Sequence, residues 1–235
     1  LLLHSEKRSD SVLEFEQQGY VPVYCWSHGI IAHDWFRYAK HDSKLAFDAD
    51  RITYDFLVYN RAWSGTREYR LKFAEQVVDN NLAAHCLMSF CEWDNVHYLQ
   101  HNFTNPGLQI HRRDLHKHFA LNTHTAAASA DYNSQDYAQI GVEVVLETLF
   151  DDQRQHLTEK ILRPIACGQP FILAGTHGSL EYLRSYGFKT FGHIWDERYD
   201  YCVDPEERLM RIADLMKQIS TWLPHVRELN MAKAQ

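Results

Sequence analysis

The sequence predicts an α/β fold made of two Rossmann-like lobes with parallel sheets, in the two-lobed arrangement called GT-B-like, with a cleft between the lobes. Short apolar runs of buried-strand length recur at residues 1–3, 21–26, 55–59, 142–146 and 170–174, and helix-period segments separate them. Strands alternating with helices call for parallel crossovers. Each run also exits into polar residues, and in open α/β sheets ligands bind outside the carboxyl ends of the strands. Function is therefore to be sought at the exits.

In the first half, residues 1–3 read as a strand, 11–18 as a helix stopped by Gly19, 21–26 as a strand, 32–40 as a helix and 55–59 as a third strand. Their exits are His4 to Ser9, Ser27-His28, and Asn60-Arg61-Ala62-Trp63. Together they would form one wall of the cleft. Ser64 or Thr66 would cap the next helix, whose buried stripe is Leu71, Ala74, Val77, Val78 and Leu82. Arg61, Arg67 and Arg70 then lie near a helix start, where cations oppose the dipole and call for anionic partners. Those partners are acids such as Glu68, or a bound phosphate or anionic acceptor.

Residues 90–133 carry no sustained period. The basic cluster His111 to His118 reads as a solvated face or as a surface for an anionic acceptor. His97 and His101 have helical spacing without the glutamate of a zinc motif, and Asp48-Ala49-Asp50 matches a three-residue metal-nucleotide element too short to carry weight, so no metal site is expected. Five scattered cysteines suit reduced core thiols.

The most informative segment follows the strand at 142–146. It runs Glu147-Thr148, then Leu157-Thr158-Glu159-Lys160, then an apolar helix closed by Gly168-Gln169-Pro170-Phe171. Thr158 is a fair helix cap and Gly168 a fair stop, while Pro164 would kink the helix or delay its start. Glu147, Thr148, Thr158, Glu159 and Lys160 would share the ligand edge. There an acid can take a ribose hydroxyl pair, and an ammonium with a helix N-terminus can take phosphate. A plain solvated first-turn ion pair is the alternative.

This segment resembles the donor-binding half of two-Rossmann nucleotide-sugar glycosyltransferases, most closely the fucosyltransferase-like pattern of Glu-Asn/Thr followed by Thr-Glu-Lys and Gly-x-Pro. The resemblance implies Glu159 at the ribose and Lys160 at the phosphates. It continues through Gly178-Ser179-Leu180, Leu183-Arg184, Gly187 to Phe191 and Asp196 to Asp200, which look like uncharacterised glycosyltransferase-like proteins of tailed phages and surface-polysaccharide clusters. It covers residues 141–222. Thr148 stands where the family has Asn, and Phe171 where it has Val.

The resulting expectation is a metal-independent glycosyltransferase with no cofactor beyond a nucleotide-sugar donor. Residues 1–130 form the acceptor lobe, 131–222 the donor lobe and 223–235 a tail. Lys160, assisted by Arg61 or Arg67, stabilises the departing nucleotide. Glu6, His28 and Asp34 are candidates for the base that deprotonates an acceptor hydroxyl, with Glu6 preferred and a salt bridge to Lys7 or Arg8 as its alternative fate. The acceptor is a hydroxymethylated base of phage DNA or a bacterial glycan; a net charge of −7 argues against DNA and the basic cluster argues for it. The competing class is a non-catalytic phage or surface protein that keeps the fold as a binding module. Absence of Gly-x-Gly-x-x-Gly and of a P-loop disfavours dehydrogenases and kinases. No apolar run approaches the roughly 20 residues of a membrane span, so no membrane insertion and a cytoplasmic location are expected. At the C-terminus Asp204-Pro205-Glu206-Glu207 reads as a capped helix start, with Leu209, Ile212, Leu215, Met216, Ile219 and Trp222 on one face. That helix is expected to brace the N-terminal lobe.

Overall fold

A computed structural model describes residues 1–119 and 132–222. The described residues hold two parallel sheets. Strands β1 (Leu2–His4) and β2 (Pro22–Tyr24) pair as a two-stranded sheet, joined by helix α1 (Asp10–Gln17) and followed by α2 (Gly29–Ala39). The second sheet comprises β3 (Tyr54–Val58), β4 (Cys86–Met88), β5 (Ile140–Leu146) and β6 (Phe171–Ala174) in the order β4-β3-β5-β6. Helix α3 (Tyr69–Asp79) lies between β3 and β4, α4 (Ser134–Tyr137) precedes β5, and α5 (Glu159–Cys167) connects β5 to β6. Helices α6 (Ser179–Ser185) and α7 (Pro205–Ser220) follow. None of these helices is long and apolar enough to cross a membrane.

The strand at 55–59 was expected in the sheet of the first lobe. It lies instead between β4 and β5, with Phe56 opposite both Cys86 and Val142. A strand whose residues 55–58 are all buried needs neighbours on both edges and cover on both faces. The small β1–β2 sheet offers neither, and β5, buried at every position, offers both. The break between sheets therefore falls between β2 and β3. Residue 130, the expected lobe boundary, and the 223–235 tail lie outside the described residues.

The two faces of the large sheet follow from strand alternation. Phe56 and Val58 join the main core with Leu71, Phe73 and Val77 of α3 and Leu209, Ile212 and Met216 of α7. Leu57 points the other way and joins Tyr137, Ile140 and Cys167. Asp204 caps α7 by accepting from Glu206 N (2.8 Å) and Glu207 N (3.1 Å), as its sequence indicates. The helix packs on α3 and β6. On the other face α2 lies over α5, where Ala32 and Trp35 meet Leu162. Helix α5 runs through Pro164 without breaking and ends at Gly168, whose φ of +67° suits the left-handed stop.

Helix α3 is buried almost all round, Arg70, Lys72 and Glu75 included. Its outer side is covered by the 89–119 segment, which the sequence left illegible. Buried carboxylates hold that segment by its backbone. Glu68 accepts from Thr104 N (3.0 Å), Asn105 N (2.9 Å) and the His101 ring (3.0 Å). One helical step further, Glu75 accepts from His111 N, Arg112 N (2.7 Å) and Lys72 Nζ (2.8 Å). Burial pushes the Glu75 carboxyl up, but these donors outweigh it and hold it below the usual range. Hydrogen bonds to a charged group contribute about 1.5–3 kcal/mol each. Glu75→Ala should accordingly lower unfolding free energy by about 3 kcal/mol and make residues 100–115 newly sensitive to protease, read by urea titration and limited proteolysis. Unchanged proteolysis would show that the segment holds without this anchor.

Asp200 caps α6, accepting from Leu180 N (3.0 Å) and Glu181 N (3.4 Å). Burial pushes its carboxyl up to about 6 despite those bonds. Its unfolded value is about 3.9. Between those two values the folded chain holds a proton that the unfolded chain releases, so this group's contribution is full below the lower value and is lost as pH rises through the upper one. The difference in melting temperature between wild type and Asp200→Asn should change across that interval and be flat above and below it. A flat difference from pH 4 to pH 7 would contradict the assignment.

Candidate functional site

Strands β3 and β5 are adjacent in space, but the chain leaves β3 toward β4 and leaves β5 toward β6. This is the topological switch point of the sheet, the place where open α/β sheets bind ligands beyond the carboxyl ends of their strands. Asn60 and Arg61 follow β3, and Glu147 and Thr148 follow β5. The first turn of α3 ties the two exits together. Tyr69 Oη donates to the carbonyls of Glu147 (2.6 Å) and Ala174 (3.3 Å), and burial pushes its phenol up to about 12, which keeps it a donor. Arg70 donates to the carbonyls of Ala62 (2.7 Å), Leu146 (2.6 Å) and Glu147 (3.1 Å). Arg70 was expected to need an anion. Its two terminal nitrogens are met by carbonyl oxygens, because parallel strand ends present several to one guanidinium, while its buried Nε has no partner among the described residues. Ser64 and Thr66 do not cap α3: Ser64 heads a 3-10 turn and its hydroxyl donates to Asp94 (2.6 Å).

Glu147 has no exposed surface. Its carboxylate accepts from Thr158 N (3.1 Å), Thr158 Oγ1 (2.6 Å) and Thr148 N (3.2 Å), closing the loop between β5 and α5. Thr158 also caps α5 by accepting from Lys160 N (3.3 Å). Lys160 Nζ lies 3.1 Å from Thr158 Oγ1, 3.3 Å from Thr148 Oγ1 and 3.2 Å from Glu159 Oε1, with about a fifth of its side chain exposed. Glu147, Thr148, Thr158, Glu159 and Lys160 thus meet at the head of one helix. Glu147 faces inward within the group and Lys160 reaches its surface.

The N-terminal unit packs against the same region. Lys7 and Gln155 form an antiparallel bridge, and Gln155 Nε2 donates to the carbonyls of His177 (3.2 Å) and Gly178 (3.1 Å). A side chain at Gly178, which has a φ of +77°, would strike Gln155 Nε2 at 2.8 Å, so this close approach requires glycine. Trp26 stacks obliquely on Tyr186, and Lys7 Nζ sits 4.0 Å over the Tyr182 ring. Along this seam His28 Nε2 comes within 3.9 Å of Glu159 Oε2, and the His28 and His156 rings meet edge to face at 5.0 Å. Burial lowers the His28 imidazole below its ordinary value, with His156 and Lys160 acting the same way and Glu159 and Glu147 opposing them.

The remaining expected residues are placed as follows. Glu6 accepts from Arg154 (3.2 Å), not from Lys7 or Arg8. Asp34 is exposed on α2 and pairs with His33 at 3.7 Å, with no recorded contact to the donor loop. Arg61 is exposed and has no side-chain partner among the described residues. Arg67 makes no ion pair among them, though it helps hold the Asp94 carboxyl low after the Ser64 and Trp63 hydrogen bonds, against the effect of burial. His97 bonds Glu92 and His101 bonds Glu68, and the described residues contain no cluster able to hold a metal. Arg112 pairs with Asp79 and Asp114, so part of the basic cluster is locally neutralised. All five cysteines are free.

Sequence reasoning missed His156, Arg154 and the condition of Asn60. Asn60 is fully buried, its N–H donates to Ser89 Oγ (3.2 Å), and its carboxamide nitrogen and oxygen have no partner. Comparison of the chain with protein-family models, curated proteins and solved structures finds no match in any of the three.

Proposed function

We propose that the protein transfers a sugar from a nucleotide-sugar to an acceptor hydroxyl, with the nucleotide diphosphate at the head of α5. One observation carries this reading. The Lys160 ammonium and the hydroxyls of Thr148 and Thr158 converge at a helix N-terminus beside the switch point of a parallel sheet. An ammonium and a helix dipole there favour a dianionic leaving group, and they gain strength as negative charge builds on it. Glu159, held between Lys160 and His28, is the acid left for a ribose hydroxyl, since Glu147 is consumed within the loop. Arg61, exposed and without a recorded partner, is the cation free to meet the outer phosphate; Arg67 stands further along the same exit.

In this reading the large sheet forms the donor side and the β1–β2 unit the acceptor side, so that the two-lobed arrangement is kept with its boundary moved to the segment between β2 and β3. The resemblance of residues 141–222 to donor-binding segments supports it. The acceptor stays a hydroxymethylated base of phage DNA or a bacterial glycan.

The test is a melting-temperature screen against UDP, GDP, CMP and their sugars. A ligand held only by the folded state at 100 times its Kd adds about 2.7 kcal/mol. Stabilisation by one nucleotide class that is lost in Lys160→Ala is expected. No shift from any nucleotide would favour the binding-module reading.

A further inference from the structure

The seam above α5 holds two imidazoles, and their surroundings divide the work between them. His156 Nδ1 lies 3.3 Å from the Ser5 carbonyl oxygen. A carbonyl can only accept, so Nδ1 carries the hydrogen and Nε2 keeps a bare lone pair. His28 Nε2 faces Glu159 Oε2 at 3.9 Å, beyond hydrogen-bond reach, and its Nδ1 lies 3.5 Å from Ser27 Oγ. The rings meet edge to face at 5.0 Å, so a proton on one opposes a proton on the other.

The other charged groups around the pair are accounted for. Glu159 and Lys160 face it from α5, Glu147 lies behind Thr158, and Arg154, next along the chain from Gln155 and His156, pairs with both Glu6 and Asp152. Both rings are incompletely buried: about a third of the His28 side chain is exposed, and His156 is half-buried. Among the described residues no protein group is hydrogen-bonded to His156 Nε2.

We infer that His156 Nε2 is the group that takes the proton from the acceptor hydroxyl, with the His28 ring packed edge to face beside it. This rests on the transferase reading above. In the step, the acceptor O–H bond breaks and its proton goes to His156 Nε2. The acceptor oxygen forms a bond to the anomeric carbon as the anomeric carbon–phosphate oxygen bond breaks, and the nucleotide diphosphate leaves with that electron pair toward Lys160. His28, packed edge to face on His156 at 5.0 Å, is a positioning residue for that ring.

The experiment uses the full chain with imidazole ¹⁵N labelling, in wild type and in His156→Asn, whose amide can keep the bond to Ser5 while removing the bare nitrogen. Long-range ¹H–¹⁵N spectra should show His156 protonated at Nδ1 alone at neutral pH. His28, which His156 helps to lower, should titrate at higher pH in His156→Asn. An Nε2–H tautomer of His156, or a His28 titration indifferent to the substitution, would overturn the assignment.

The second arm measures nucleotide release from GDP-fucose and UDP-glucose, with water as acceptor, across pH. Loss of a general base lowers turnover by about 10²–10⁴-fold. For His156→Asn we expect a loss in that range with KM unchanged, and disappearance of the acid limb of the pH profile. If wild type is stabilised by a nucleotide but His156→Asn keeps both turnover and acid limb, the inference fails alone. If no nucleotide stabilises wild type and neither donor is turned over, the transferase reading fails with it.

Discussion

Replacing Arg163 with alanine is expected to cost about 3–5 kcal/mol of folding stability, the largest effect of any single substitution considered. Arg163 on α5 and Glu143 on β5 pair at 2.8 Å, with side chains only 5% and 1% exposed. Tyr137 Oη donates to Glu143, Arg163 Nε donates to Tyr137 Oη (3.0 Å), and the guanidinium lies 4.3 Å over the Tyr59 ring. Burial and the Glu143 charge push the Tyr137 phenol well up, so it remains a donor in this network. Removing the guanidinium strands a carboxylate inside the sheet. The combined replacement Tyr137→Phe, Glu143→Leu and Arg163→Met removes every stranded group, and buried ion pairs exchanged for apolar side chains are often neutral or stabilising. Urea denaturation should therefore find Arg163→Ala severely weakened and the triple variant close to wild type. Equal losses in both would mean that the pair contributes net stability, not merely the avoidance of a stranded charge.

Glu147→Ala is expected to damage stability and site together. The Glu147 carboxylate receives three donors from Thr148 and Thr158, and Thr158 in turn caps α5 and contacts Lys160 Nζ. Loss of the carboxylate leaves a buried Thr158 N–H unpaired, at a cost of about 1–3 kcal/mol, besides the charge-assisted bonds themselves. The expected total is about 3 kcal/mol, accompanied by loss of any nucleotide-induced rise in melting temperature. Glu147→Gln keeps one acceptor and should retain part of both. A Glu147→Ala protein that binds nucleotide as wild type does would show that the loop conformation is set elsewhere.

Most strands and caps were legible because their causes are local. Residues 142–146 are apolar save for Glu143 and 170–174 are an unbroken apolar run, Thr158 and Asp204 are cap residues at helix starts, and Gly168 adopts the left-handed stop its position suggested. Which strand pairs with which was not legible. Leu57 and Glu143 are register partners across an interval that no local pattern spans, and the apolar run at 55–59 would suit either sheet. The 89–119 segment was opaque for a different reason. Glu68 and Glu75 hold it through its backbone N–H groups, its own Asp94 accepts from the N–H groups of Trp63 and Ser64, and a backbone donor leaves no mark on residue type.

The site divided along the same line. Glu147, Thr148, Thr158, Glu159 and Lys160 could be placed together because one strand, one loop and one helix start carry them. Glu6 and Arg154 lie 148 residues apart, and His156 gains its meaning only from the Ser5 carbonyl and the His28 ring. Arg70 misled for want of any sequence signal that carbonyl oxygens would surround it.

The most direct measurement is calorimetric titration of the stabilising nucleotide into wild type, Lys160→Ala and Lys217→Ala, the last on the exposed side of α7. One tenfold step in Kd corresponds to about 1.4 kcal/mol. At least that loss is expected for Lys160→Ala and none for Lys217→Ala. Equal Kd values in all three proteins would remove the nucleotide from the head of α5.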